Sequence, residues 1–133
     1  MSMTGYHKGL QEWLEQFGYP VFQQGQVPTD NNNIPLDFPF IAYKPLMGAG
    51  MTTLNQTFFA FFRRRAGENA NKERDDFIDD LKVALPAEGI YLDYSDGRAS
   101  VFNGGNRFIQ FYDDPVNKDI IGVRVSVEIR FYE

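Results

Sequence analysis

Residues 120–132, IIGVRVSVEIRFY, alternate so strictly that they leave few backbone conformations open. Ile121, Val123, Val125, Val127, Ile129 and Phe131 share one parity, and Arg124, Ser126, Glu128, Arg130 and Tyr132 share the other. A period of two is the pleat of a half-buried strand, and no helix gathers those apolar side chains onto one face. At about 3.3 Å per residue such a strand spans about 40 Å, well beyond the usual length of about five or six residues. It is expected to carry partners on both edges and to lie centrally in its sheet. One face needs a layer of helix or sheet against it, while the other can meet water or another subunit.

The rest of the chain supplies that layer. Thr4 to Phe17 places Tyr6, Leu10, Trp13, Leu14 and Phe17 at spacings of three and four, the stripe of an amphipathic helix, with Ser2 or Thr4 as its cap and Gly18 as its stop. Tyr19 to Phe22 reads as a short extended piece that Pro20 restricts to an edge or an entrance. Gln23 to Pro39, rich in Gly, Pro, Asp and Asn, reads as a long loop. Phe40 to Tyr43 and Gln56 to Phe62 form a hairpin joined by Leu46 to Asn55. In its second strand Phe58 and Phe62 point one way and Phe59 and Phe61 the other, so both faces require cover.

After a turn at Gly67 to Asn71, Lys72 to Leu85 reads as a second helix with Phe77, Ile78, Leu81, Ala84 and Leu85 inward, ended by Pro86. Ile90 to Tyr94, Ala99 to Phe102 and Phe108 to Tyr112 are short strands set apart by Ser95-Asp96-Gly97 and Asn103-Gly104-Gly105. The expected fold is α+β: residues 1–133 as a single domain with two helices packed on a mainly antiparallel or mixed sheet that ends in a long strand.

A chain of 133 residues, 43% of them hydrophobic, can bury about two thirds of its unfolded surface and needs no metal or disulfide staple. It has no cysteine, which removes disulfides, thiolate metal sites and a cysteine nucleophile. The start, MSMTGYHKGL, lacks the features of a signal peptide, and no apolar run reaches the length of a membrane span, so a soluble intracellular chain is expected. A net charge of −5 disfavours general affinity for nucleic acid.

Little in the sequence carries chemistry. The single histidine, His7, has no second His for a metal pair or relay, and reads as a solvated or capping residue. Asp75, Asp76, Asp79 and Asp80 lie a turn apart in pairs, but Phe77 and Ile78 between them mark an amphipathic helix whose acids face water. Gly48-Ala49-Gly50 lacks the lysine of a phosphate loop and precedes a strand. Asp113, Asp114 and Asp119 do not match a calcium loop. Arg63, Arg64 and Arg65 read as a solvated strand exit or as a contact with an acidic neighbour or phosphates. No nucleophile, base and oxyanion donor assemble, so the expectation is a protein without catalytic residues, cofactor or metal.

The order of elements resembles the tail terminator or minor capsid (head-tail joining) family of long-tailed bacteriophages. The likeness rests on the aromatic first helix ending in Gly18-Tyr19-Pro20 and on the loop into Phe38-Pro39-Phe40-Ile41-Ala42-Tyr43. It continues through the Gln56 to Arg64 strand, the Asn71 to Leu85 helix, Arg107-Phe108-Ile109 and the final strand through Phe131-Tyr132. The long Gln23 to Pro39 loop departs from that pattern and would suit a neighbouring head-tail joining protein. The resemblance implies a structural virion protein that forms a ring, commonly a hexamer, capping the tail tube and facing the head connector. Its partners would be further copies of itself, the tube protein and the connector, with DNA passing through unbound and no membrane. It would act in the host cytoplasm and then at the head-tail junction. Leu46, Met47, Met51, Phe58, Phe59, Phe61, Arg63, Arg64 and Arg65 would then supply subunit or tube contacts. Two other classes compete. One is a small-ligand-binding or regulatory α+β domain with a concave aromatic pocket, and the other is a metal-dependent hydrolase built on Asp75, Asp76 or Asp79.

Overall fold

The computed structural model describes residues 3–46, 53–64, 69–103 and 108–132. Helix α1 spans Met3–Leu14 and runs on into a 3-10 turn at Glu15–Phe17. Gly18 ends it at φ 83°, a left-handed conformation suited to glycine, with its N–H donating to Glu15 O. The strands are β1 (Val21–Gln23), β2 (Phe40–Tyr43), β3 (Thr53–Arg63), β4 (Ile90–Tyr94), β5 (Gly97–Asn103), β6 (Ile109–Asp113) and β7 (Ile120–Tyr132). Helix α2, Ala70–Ala84, falls between β3 and β4. It begins two residues ahead of the sequence expectation, because Asn69, read as part of a turn, caps it by accepting from Lys72 N.

The strands make one seven-stranded sheet in the order β1-β2-β3-β7-β5-β4, and β6 also pairs with β7. Among the described residues β1 and β2 pair parallel and the other strand pairings are antiparallel. Strand β7 is central, as its alternation requires. It pairs with β3 along eleven residues on one edge, and on the other edge with β5 at its C-terminal half and β6 at its N-terminal half. Strand β3 is longer than its apolar run, because Thr53 to Asn55 continue the ladder opposite Glu128 to Arg130.

Both helices lie on one face of this sheet. Tyr6, Leu10 and Leu14 of α1 and Phe77, Ile78 and Leu81 of α2 pack on Ile41, Tyr43, Phe58, Ala60, Phe62 and the apolar parity of β7. Gly9 lets α1 approach β4, since a Cβ there would lie 2.9 Å from Cβ of Tyr94. No helix among the described residues is long and apolar enough to cross a membrane.

Candidate functional site: the sheet face opposite the helices

Among the described residues the opposite face of the sheet carries no helix, and its two halves differ in chemistry. Around β4, β5 and the C-terminal half of β7 it is polar. Arg98 Nε donates to Asp93 Oδ1 at 2.6 Å, Arg130 Nε to Glu128 Oε1 at 3.1 Å, and Ser100 Oγ to Tyr132 Oη at 2.9 Å. Arg98 and Arg130 also lie over the rings of Tyr91 and Phe102, at 4.9 and 5.1 Å from the centroids. A cross-strand ion pair between Arg98 and Asp93 and one along β7 between Arg130 and Glu128 suit a solvated sheet surface.

The other half is aromatic. Phe40, Phe61, Gly122 and Tyr112 sit opposite one another on β2, β3, β7 and β6, one residue per strand. The rings of Phe40 and Phe61 stack at 5.1 Å, and those of Phe61 and Tyr112 meet edge to face at 5.8 Å over the glycine. Phe22 of β1 joins at 6.2 Å from Phe40, which completes a stripe from one sheet edge to the other. Phe59 and Phe38 flank it, 5.7 Å from Phe61 and 5.3 Å from Phe40. Gly122 is what permits this row: a Cβ there would lie 2.8 Å from Ala60 O and 3.1 Å from Cδ1 of Phe61.

Residues 24–39 fold against the stripe. Asp30 Oδ1 accepts from Asn32 N and Ile34 N, Thr29 bridges to Pro35, and Asn33 takes φ 62°, so the polar run is a small ordered hairpin. The chain then enters β2 through a cis Phe38–Pro39 bond. Between hairpin and sheet lies a cleft of about 360 Å³, lined chiefly by Phe38, Phe40, Phe59, Phe61 and Tyr112, with Gln24, Asn33 and Asp114 among its polar members.

Of the residues expected at an interface, Phe59 and Phe61 are half-buried on this face. Phe58 is not: its parity turns it toward the helices, where it is fully buried 6.4 Å from Trp13, so it belongs to the core. Arg63, half-buried at the end of β3, lies 6.0 Å from the Phe38 centroid. Exposed Arg64 donates from its backbone N to Asp119 O and from a guanidinium nitrogen to Lys118 O, which fastens the turn before β7. Leu46 is half-buried, with its N–H donating to Nε2 of His7. Met47, Met51 and Arg65 lie outside the described residues, as do Gly48 to Gly50.

His7 is therefore half-buried, and its hydrogen bond is a tertiary contact and not a helix cap. It bridges α1 to the segment after β2, its ring lies 5.4 Å from Tyr6 and 6.0 Å from Tyr43, and burial lowers its pKa from the ordinary value. Sequence reasoning also passed over Gln56, which sits fully buried on the helix side of β3. Its Oε1 accepts from Tyr6 Oη at 2.9 Å, and its Nε2 donates to Lys44 O and Thr57 O, so the amide is satisfied. The signal was its parity, shared with Phe58 and Phe62. Asp75, Asp76, Asp79 and Asp80 are all exposed on α2, and Asp76 pairs with Lys72 at 2.9 Å. Among the described residues, no group of three or more His, Asp or Glu side chains is arranged to hold a metal.

No protein-family model matches this chain, and no curated protein matches it. Among solved structures, one whose designation states no function matches over 98% of this chain and 92% of its own, with a TM-score of 0.58 and 11% identity. At that identity the likeness is one of fold.

Proposed function

We propose that this chain is a structural, non-catalytic component of a long-tailed bacteriophage virion, a tail terminator. In this reading it forms a ring that caps the finished tail tube and presents a surface to the head connector. The observation that carries the reading is the aromatic stripe on the sheet face opposite the helices. Six ring side chains in contact reach both edges of a sheet; Phe40 is buried among them, and the half-buried Phe22, Phe38, Phe59 and Phe61 with the exposed Tyr112 offer an apolar surface of the kind that marks contact with another protein. The α+β order of elements, with its long closing strand, agrees with the resemblance. An acidic chain also suits a ring whose lumen passes DNA, because a basic lumen would hold phosphates. The protein would work in the host cytoplasm and remain at the head-tail junction, with tube protein, connector and its own copies as partners.

The test is tube length. Tube protein polymerised with this chain present should give shorter tubes as its concentration rises. A length distribution that is independent of its concentration would count against termination.

The cleft supports a second reading, a small-ligand-binding domain. Its volume falls within the range of ligand sites, and its aromatic wall with a few polar groups has the usual composition of one. A compound library screened by thermal shift separates the two readings, since a ligand domain should gain stability on saturation.

A further inference from the structure

We infer that copies of this chain join head to tail by backbone pairing, with the outer edge of β6 in one copy against the outer edge of β1 in the next. Strand β6 pairs only with β7, and β1 only with β2, so among the described residues each leaves one edge without a strand. From Gln110 to Asp113 every residue of β6 is exposed; Phe111 is 67% exposed and Tyr112 36%. An edge strand carrying two accessible aromatic residues is a template for a further strand.

The geometry of the sheet selects β1 as the occupant. Relative to β7, strands β3 and β6 run opposite and β2 and β1 run alongside, so side-by-side copies bring β6 and β1 together antiparallel. Antiparallel pairing is the more stable form. The backbone alternation is also compatible. Ile41 N donating to Pro20 O and Gln24 N donating to Tyr43 O turn Pro20 and Gln24 toward β2, which leaves Val21 and Gln23 facing outward; Gln23 O already accepts from Gln26 N, so the pairing draws on Val21 and on the Gln23 N–H. Ser126 N donating to Phe108 O and Asp114 N donating to Ile120 O likewise leave Ile109, Phe111 and Asp113 facing outward on β6. Pairing outward residues places Phe22 of one copy directly beside Tyr112 or Gln110 of its neighbour. In either register the helix faces remain on one side, and the stripe from Phe22 to Tyr112 runs on into the next copy's stripe. Such a contact is heterologous, so repeating it closes a ring when the rotation allows. A two-fold contact of β6 with β6 would instead leave β1 and the Phe22 end of the stripe unmatched.

This pairing deepens the ring reading proposed above, and its test is independent of that reading. The chain has no cysteine, so any disulfide between copies reports the introduced positions alone. Phe22→Cys, Gln110→Cys and Tyr112→Cys single variants would be oxidised alone and in pairs, both as concentrated protein and on tube ends, after circular dichroism has confirmed folding. The expected result is a reducible dimer when Phe22→Cys is mixed with Gln110→Cys or Tyr112→Cys. A chain carrying both changes should give a ladder of oligomers that stops at the ring size. Cross-links confined to Phe22→Cys with itself or Tyr112→Cys with itself, or none of the mixed cross-links in either preparation, would overturn the pairing. Ring density on tube ends without mixed cross-links would overturn the pairing and leave termination standing. Mixed cross-links, together with tube ends that stay bare when the wild-type chain is supplied, would uphold the pairing and remove termination.

Discussion

Phe61 and Tyr112 meet at 5.8 Å between ring centroids although β7 separates their strands, because Gly122 lies between them with no side chain to hold them apart. The glycine gives up strand propensity and gains a continuous aromatic surface. Gly122→Ala should therefore cost about 1–3 kcal/mol, the typical cost of overpacking, since the new methyl group meets the Ala60 carbonyl as well as the Phe61 ring. Urea unfolding checks this. An unchanged midpoint would mean that the row does not depend on the glycine.

Val125 stands opposite Phe58 with no exposed surface, in the middle of the helix-covered face. Val125→Asp buries a carboxylate without a partner and should remove about 4 kcal/mol or more, enough to unfold a marginal domain. Thermal unfolding followed by circular dichroism reads the effect, and an unshifted melting temperature would contradict the strand's placement.

Tyr6→Phe removes the donor to Gln56 Oε1 and leaves a buried acceptor unsatisfied. The expected loss is about 1–3 kcal/mol. Gln56→Leu also removes the donor to Lys44 O and Thr57 O, so the double variant Tyr6→Phe with Gln56→Leu should be less stable than Tyr6→Phe, yet should lose less than the sum of the two single variants. A double-mutant cycle with no coupling would show that the hydrogen bond contributes nothing.

His7 accepts from Leu46 N through Nε2, which requires the neutral ring, and burial lowers its pKa below the ordinary value of 6.5. Below that value the unfolded chain binds a proton that the folded chain resists. This contribution to stability is therefore complete above about pH 6.5 and declines as the pH falls toward the lowered folded pKa. In His7→Gln the slope of stability between about pH 6.5 and 5 should be smaller than in the wild type. Equal slopes would place the proton uptake elsewhere.

The architecture was legible because β7, α1 and α2 each write their period into the residues, and Phe58 against Phe59 already marked a strand apolar on both faces. What distinguished those two sides was not legible. Which parity meets the helices depends on long-range register, so Phe58 could be placed at an interface until β3 was seen opposite β7. The stripe escaped notice for the same reason: Phe22, Phe40, Phe61 and Tyr112 lie far apart in the chain and become neighbours only through pairing. His7 and Gln56 were obscure because their partners include backbone atoms at Leu46, Lys44 and Thr57, which a residue pattern does not reveal. Asn69 carried its capping signal openly, yet it lay inside a segment whose composition reads as a turn.

End-specific binding to tail tubes is the most direct measurement of the proposed role. Purified chain mixed with polymerised cognate tube and viewed by electron microscopy should place ring-shaped density at one end of each tube and none along the sides. The triple variant Arg63→Glu, Arg64→Glu and Arg65→Glu tests the arginine contact in the same images, and its reduced occupancy is the expected result. Cognate tubes whose ends stay bare with the wild-type chain in excess would contradict the account.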